Sequence, residues 1–148
     1  MPHAGLMNER AMGPVEGPLY RARLHVRGGK RRFREEKWSA GIAALHDALS
    51  AAMEWYAAVP ERRQKLLVRP GDDLNSDREL YRILVRSGVL DGSFDYNAFD
   101  ALTDGALSED LDILDAGPIV AGLESVMTQL GVLPFDEASL PPEDPRTF

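Results

Sequence analysis

Residues 37–59, KWSAGIAALHDALSAAMEWYAAV, decide how this chain folds. Trp38, Ile42, Leu45, Leu49, Ala52 or Met53, and Tyr56 recur at steps of three and four, which keeps them on one face of an α-helix. A second face carries Ala40, Gly41, Ala44, Ala48, Ala51 and Trp55, mostly small residues. Two non-polar faces on one helix require neighbours on two sides. The stretch reads as the long central helix of a bundle, ended near Pro60 because proline has no amide to donate.

Towards the N-terminus, Leu19, Ala22, Val26, Gly29 and Phe33 form one seam and predict a first helix over 19–33. Gly28 and Gly29 lie inside it and weaken it by about 1 kcal/mol each relative to Ala. Close approach of a neighbouring helix at Gly29 explains that cost; a break there is the alternative. Residues 1–18, with Gly5, Gly13, Pro14, Gly17 and Pro18 and no periodicity, read as a flexible leader.

Towards the C-terminus, Ser76 followed by Glu79 is a capping box that starts a third helix. Its apolar face is Leu80, Tyr81, Leu84 and Val85, and Gly88 suits a left-handed stop. The Asp91–Gly92 turn leads to a shorter helix bearing Phe94, Phe99 and Leu102. A last helix holds Ile119, Val120, Leu123, Val126, Met127 and Leu130, with Pro118 in its first turn and Gly131 as its stop. The expectation is an all-α, single-domain bundle of about five helices over 19–135, followed by a proline-rich acidic tail over 136–148. No segment recurs at a fixed period, which argues against a repeat array.

Charge is divided unevenly. Residues 1–70 carry 13 Lys and Arg against 7 Asp and Glu, and residues 71–148 carry 4 against 17, which hides a basic half inside a net charge of −7. Such asymmetry marks an interaction surface without naming the partner. Cysteine is absent, which removes disulfides, thiol nucleophiles and thiolate metal sites. No apolar run reaches the roughly 18–20 residues that span a bilayer. The expected setting is cytoplasmic, with no membrane contact and no cofactor.

The basic half contains one ordered feature. Arg23, Arg27, Lys30, Arg31 and Arg34 fall within about a third of the circumference of the first helix, at about 100° per residue. Five cations on one face repel one another, so they require compensation. Either the acid-rich half folds back on them, with Glu35 and Glu36 helping locally, or an external anion does so: an acidic protein, including a second copy of this chain, or a phosphate backbone. Nucleic acid is the less favoured partner, because the sequence pI is near 4.9 and no aromatics interleave the stripe to stack on bases.

Recognisable catalytic chemistry is sparse. His3 falls in the leader, and His25 lies near the polar side of the first helix, one turn after Arg21. His46 flanks the apolar stripe of the central helix next to Asp47, but adjacent helical residues point about 100° apart. His46 reads as a partly buried structural residue; the enzyme alternative is a site near His46, Asp47 and Glu54. There is no nucleophile elbow, phosphate-cradling loop or dinucleotide fingerprint. Asp73, Asn75 and Asp77, like Asp91, Ser93 and Asp95, alternate as an EF-hand loop begins. Arg78 and Tyr96 then stand where its glycine belongs, and Leu84 and Leu102 where its bidentate glutamate belongs. Capping and turns explain these acids better, and the pairs Glu109/Asp110 and Asp112/Asp115 fit helix starts. No metal site is assigned.

The stretch from Arg27 to Tyr56, RGGKRRFREEKWSAGIAALHDALSAAMEWY, resembles the first hairpin of HEPN-type bundles, and also a single tetratricopeptide-like helix pair. It has a basic helix ending in Gly-Lys-x-x-Phe, a short turn with Trp, and an Ala- and Leu-rich helix. The resemblance implies a four- or five-helix bundle, often dimeric, over about 19–131. Ribonuclease members of that group carry an Arg, a polar residue, then four to six residues and a His. Here only three residues separate Arg21 from His25, so no catalytic residue is carried over. The functional expectation is a non-enzymatic protein-interaction or regulatory bundle, with a protein partner or self-association as a homodimer; the alternative is an RNA-binding or degenerate HEPN-type module using the basic stripe.

Overall fold

In the computed structural model, which describes residues 9–108, 116–143 and 145, the chain is all-helical: 71% helix, with no strand among the described residues. The order is α1 (Glu9–Arg34), α2 (Trp38–Ala58), the single turn α3 (Pro60–Arg63), α4 (Asp77–Arg86), α5 (Tyr96–Ser108) and α6 (Ala116–Leu130), with a 3-10 turn at Glu137–Ser139. His3 and the acids Glu109, Asp110, Asp112 and Asp115 lie outside the described residues.

The two-faced stretch is the centre of the bundle. α2 packs against α1, α3, α4, α5 and α6. Ile42, Leu45, Leu49, Ala52 and Met53 on its large face and Ala48 and Ala51 on its small one are all essentially inaccessible to solvent. Leu80 and Leu84 of α4, Phe99 of α5, and Leu123, Met127 and Leu130 of α6 complete one continuous core. Burying side chains of this size contributes about 1.5–3 kcal/mol each.

The two glycines of the first helix do not break it. A Cβ at Gly29 would stand 2.8 Å from Leu45 Cδ2, and one at Gly41 would stand 3.0 Å from Phe33 Cδ2. Each of the two facing helices thus supplies a glycine where the other needs room. The helical penalty of Gly29 is offset by closer packing of α1 on α2.

Two local expectations need correction. First, α1 begins at Glu9 rather than Leu19, so residues 9–18 are helical instead of an unstructured leader. Gly13 (φ 88°, ψ 178°) breaks the path, and the regular helix restarts at Pro14. A proline in a first turn forfeits no bond, and only Pro18 removes a ladder donor. Gly17 and Pro18 are buried, so tertiary packing overrides a composition that looks like loop. Second, the capping box is half made. Ser76 Oγ accepts from the Glu79 amide at 3.4 Å, but the Glu79 carboxylate accepts from the Asp73 amide at 3.3 Å instead of that of Ser76. The expected end near Pro60 holds, since α2 stops at Ala58, and Pro60 then opens a further single turn of helix.

The stops at Gly88 (φ 78°) and Gly131 (φ 91°) are left-handed as expected. The segment from Val132 to Glu143 then returns along α1. Val132 and Leu140 are buried on that path.

Candidate functional site: the arginine face of α1

On α1, the seam of Ala22, Val26, Gly29 and Phe33 faces α2. The basic stripe starts beside that seam and runs round to the far side, about 70–170° from its middle. Leu24 borders that face, about 20° round the helix from Arg31, and is only 3% exposed. The C-terminal segment lies over the arginines of that face.

The contacts follow the helix turn by turn. The guanidinium of Arg23 sits over the ring of Phe135, 5.5 Å from its centroid, a cation–π geometry. Arg27 Nη1 donates to the carbonyl of Pro141 at 2.6 Å. Arg31 Nε donates to Glu143 Oε2 at 2.9 Å, and its Nη1 donates to Glu35 Oε1 at 2.5 Å. Lys30 and Arg34 turn towards α6, where Lys30 Nζ pairs with Glu124 Oε1 at 2.9 Å. Arg34 is exposed.

The structure therefore brings all five stripe cations onto one face and divides them. Arg23, Arg27 and Arg31 hold the returning segment. Lys30 and Arg34 border an open groove of about 580 Å³ floored by Phe33, Trp38, Val120 and Ala121. The acid-rich half does fold back on the stripe, through Glu124 and Glu143, and Glu35 assists locally.

Burial alone would make Arg31 easier to deprotonate. The hydrogen bonds to Glu35 and Glu143 outweigh it and hold its pKa above the ordinary arginine value. Arg32, which the stripe reading omitted, is shifted the other way, first by burial and then by the charge of Arg31, with Glu143 opposing. Glu143 is thus the counter-charge for two guanidiniums, a role sequence could not show because its partners lie 112 residues away.

Arg62 is a second residue that the sequence reading passed over. It lies over Trp55 and Tyr56, 4.4 and 5.1 Å from their centroids, and donates to the Leu130 carbonyl at 3.1 Å. A cation on the last carbonyls of α6 opposes the negative end of that helix. It fixes the point from which the returning segment departs.

The histidine alternative separates on inspection. His46 lies 3.1 Å from Asp100 Oδ1 through Nε2, so the imidazole donates to the carboxylate, and Arg78 Nη2 donates to the other oxygen at 3.0 Å. The ring stacks on Phe99 at 5.7 Å. Asp47 is exposed, and Glu54, about 12 Å further along α2, accepts from Arg21 at 2.5 Å. His46, Asp47 and Glu54 therefore do not converge, and His46 with Asp100 ties α2 to α5. Nearby Tyr96 is pushed up to about 12 by burial, reinforced by Asp77 and Asp100, so at neutral pH it keeps its proton and is no base.

Burial raises the Asp100 pKa, but His46 and Arg78 overcome this and hold it below the ordinary 3.8. A depressed carboxylate contributes stability that is present above the unfolded pKa and lost as pH falls through the folded one. Wild type should therefore lose more unfolding free energy than Asp100→Asn between pH 5 and 3. Urea melts at the two pH values test this, and parallel losses would contradict it. Because Arg78 is half exposed, the difference should be only about 0.5–1 kcal/mol.

The two acidic loops are turns. Asp73 Oδ1 accepts from the Asn75 amide and Asp91 Oδ1 from the Ser93 amide, each at 2.9 Å, while Asp95 accepts from the Ala98 amide at the start of α5. No group of three or more potential ligands converges on a metal position among the described residues. No described helix is long and apolar enough to cross a membrane. Comparisons with protein-family models, curated proteins and solved structures each return no match.

Proposed function

We infer that this chain is a non-enzymatic helical domain that works by holding another polypeptide against the arginine face of α1. One observation carries the reading: the stripe already does peptide chemistry. Its guanidiniums receive a backbone carbonyl, a carboxylate and an aromatic ring from the C-terminal segment. Arginine suits this work because its planar fork and weak hydration favour both oxygen acceptors and ring faces.

A phosphate backbone would need those cations exposed in a continuous track, and three of the five are covered. Large self-association is not what the surface favours either. Leu67 and Val68, at 58% and 39% exposure, are the exposed large apolar side chains among the described residues, and two adjacent side chains fall far short of the roughly 1,200–2,000 Å² buried by a standard interface. A short peptide on a charged track needs no such patch.

The test against the RNA reading is fluorescence anisotropy of a mixed-sequence oligoribonucleotide at low and moderate salt. The full chain should show no salt-sensitive binding. Salt-sensitive binding that disappears in an Arg27→Glu variant would overturn the reading in favour of the HEPN-like alternative, since phosphate contacts weaken steeply with salt.

A further inference from the structure

The way the C-terminal segment lies on α1 specifies which peptide fits there. One turn of α-helix advances about 6 Å over four residues. An extended, proline-bearing chain advances about 3.1 Å per residue, or about 6 Å over two. Acceptors spaced two residues apart on such a chain therefore meet arginines spaced four apart on the helix. That is the register seen: Arg27 takes the carbonyl of Pro141, and Arg31 takes the carboxylate of Glu143.

The residue before this pair anchors it. Leu140 is 7% exposed and extended, with φ −88° and ψ 152°, the conformation that a following proline imposes. Leu140 and Leu24 are both buried and both lie outside the main core cluster. The ladder ends where Glu35, one turn after Arg31, supplies an acid of the helix's own.

The geometry points to a peptide-binding track on Arg27 and Arg31 that takes an extended partner segment of the form apolar–Pro–x–acid, for which residues 140–143 of this chain are the resident competitor. The inference rests on the reading of this domain as a binder of polypeptides. It adds the chemistry of the partner and the condition for its access: a partner segment must displace the resident one, whose tether gives it a large effective concentration. The full chain should accordingly bind such peptides weakly until its own segment is loosened.

The probe is a fluorescein-labelled synthetic peptide with the sequence of residues 134–148, followed by anisotropy. It is titrated into the full-length chain and into a full-length Leu140→Asp variant, whose loosened segment vacates the track. Leu140 stands outside the main core, so helix content by circular dichroism should be unchanged. The variant should bind at least tenfold more tightly than wild type, and a peptide carrying Glu143→Lys should lose at least fivefold. Equal binding to both chains would show that the face takes peptides but is not masked, which overturns this inference and leaves the functional reading intact. Absence of binding to a folded variant, or equal binding of the two peptides, overturns both. Should Leu140→Asp lose helix content, full-length Glu143→Lys replaces it with the same criteria and an expected gain of about threefold.

Discussion

Gly29→Val should destabilise the protein by about 2–3 kcal/mol, whereas Gly29→Ala should change stability by no more than about 1 kcal/mol. The cause is the crossing of α1 and α2. A Cβ at this position already stands 2.8 Å from Leu45 Cδ2 and 2.9 Å from its Cγ, and Leu45 is 1% exposed. For Ala, the gain of about 1 kcal/mol in helix propensity offsets part of the cost of displacing the buried Leu45, which the new Cβ meets at Cγ as well as Cδ2. Valine adds two branching methyls, and forcing extra volume into a packed core costs about 1–3 kcal/mol. For a chain of this length, a midpoint fall of about 6–10 °C follows. Thermal melts by circular dichroism read it directly. A valine variant within 1 °C of wild type would mean that the two helices do not meet at Gly29.

The second large effect belongs to Arg31. Its side chain is 11% exposed and lies between Glu35 and Glu143, which are 36% and 20% exposed. Exchanging it for Glu gathers three carboxylates and removes the cation that holds the returning segment. Breaking a fully buried pair costs about 3–5 kcal/mol, and an exposed one at most about 1 kcal/mol; this half-buried site should fall between, at about 2–4 kcal/mol. Adding Glu143→Arg to Arg31→Glu restores an opposite-charge pair, so the double variant should recover at least about 1 kcal/mol of the loss. Urea unfolding of both single variants, the double variant and wild type gives that coupling. Additive losses would mean that Arg31 and Glu143 do not interact in solution.

Much of the scaffold was legible in sequence because it rests on local periodicity. The two faces of α2, the seam through Gly29, the cap at Ser76 and the left-handed stops at Gly88 and Gly131 each follow from residues within a turn or two of one another. The largest error, at the start of α1, has a tertiary cause. Residues 9–18 look like loop because Gly13, Pro14, Gly17 and Pro18 disfavour helix locally, yet packing buries Gly17 and Pro18 and carries the helix through. Tertiary context overrides weak propensity.

The site was half legible. A stripe of five cations is visible on a helical wheel, and so is the need for something to compensate it. What compensates it is not visible. Pro141 and Glu143 meet their arginines across 114 and 112 residues, and a proline-rich terminal segment has no periodicity to reveal a docked face. His46 presents the same problem: its neighbour in sequence is Asp47, but its partner is Asp100, 54 residues on. Arg62 escaped notice because its value lies in two aromatic rings and one carbonyl that only the folded chain brings together.

These features give the arginine face one distinguishing property: it should discriminate between polypeptide and nucleic acid once its own segment is lifted. The most direct measurement is a side-by-side anisotropy titration of the full-length Leu140→Asp chain with the labelled 134–148 peptide and with a labelled mixed-sequence RNA, at low and moderate salt. The account predicts saturable peptide binding that persists at moderate salt, because ring and apolar contacts support the charges, and RNA binding that is absent or lost as salt rises. Tight RNA binding with no peptide binding would contradict it, and would make the arginine face of α1 a phosphate surface.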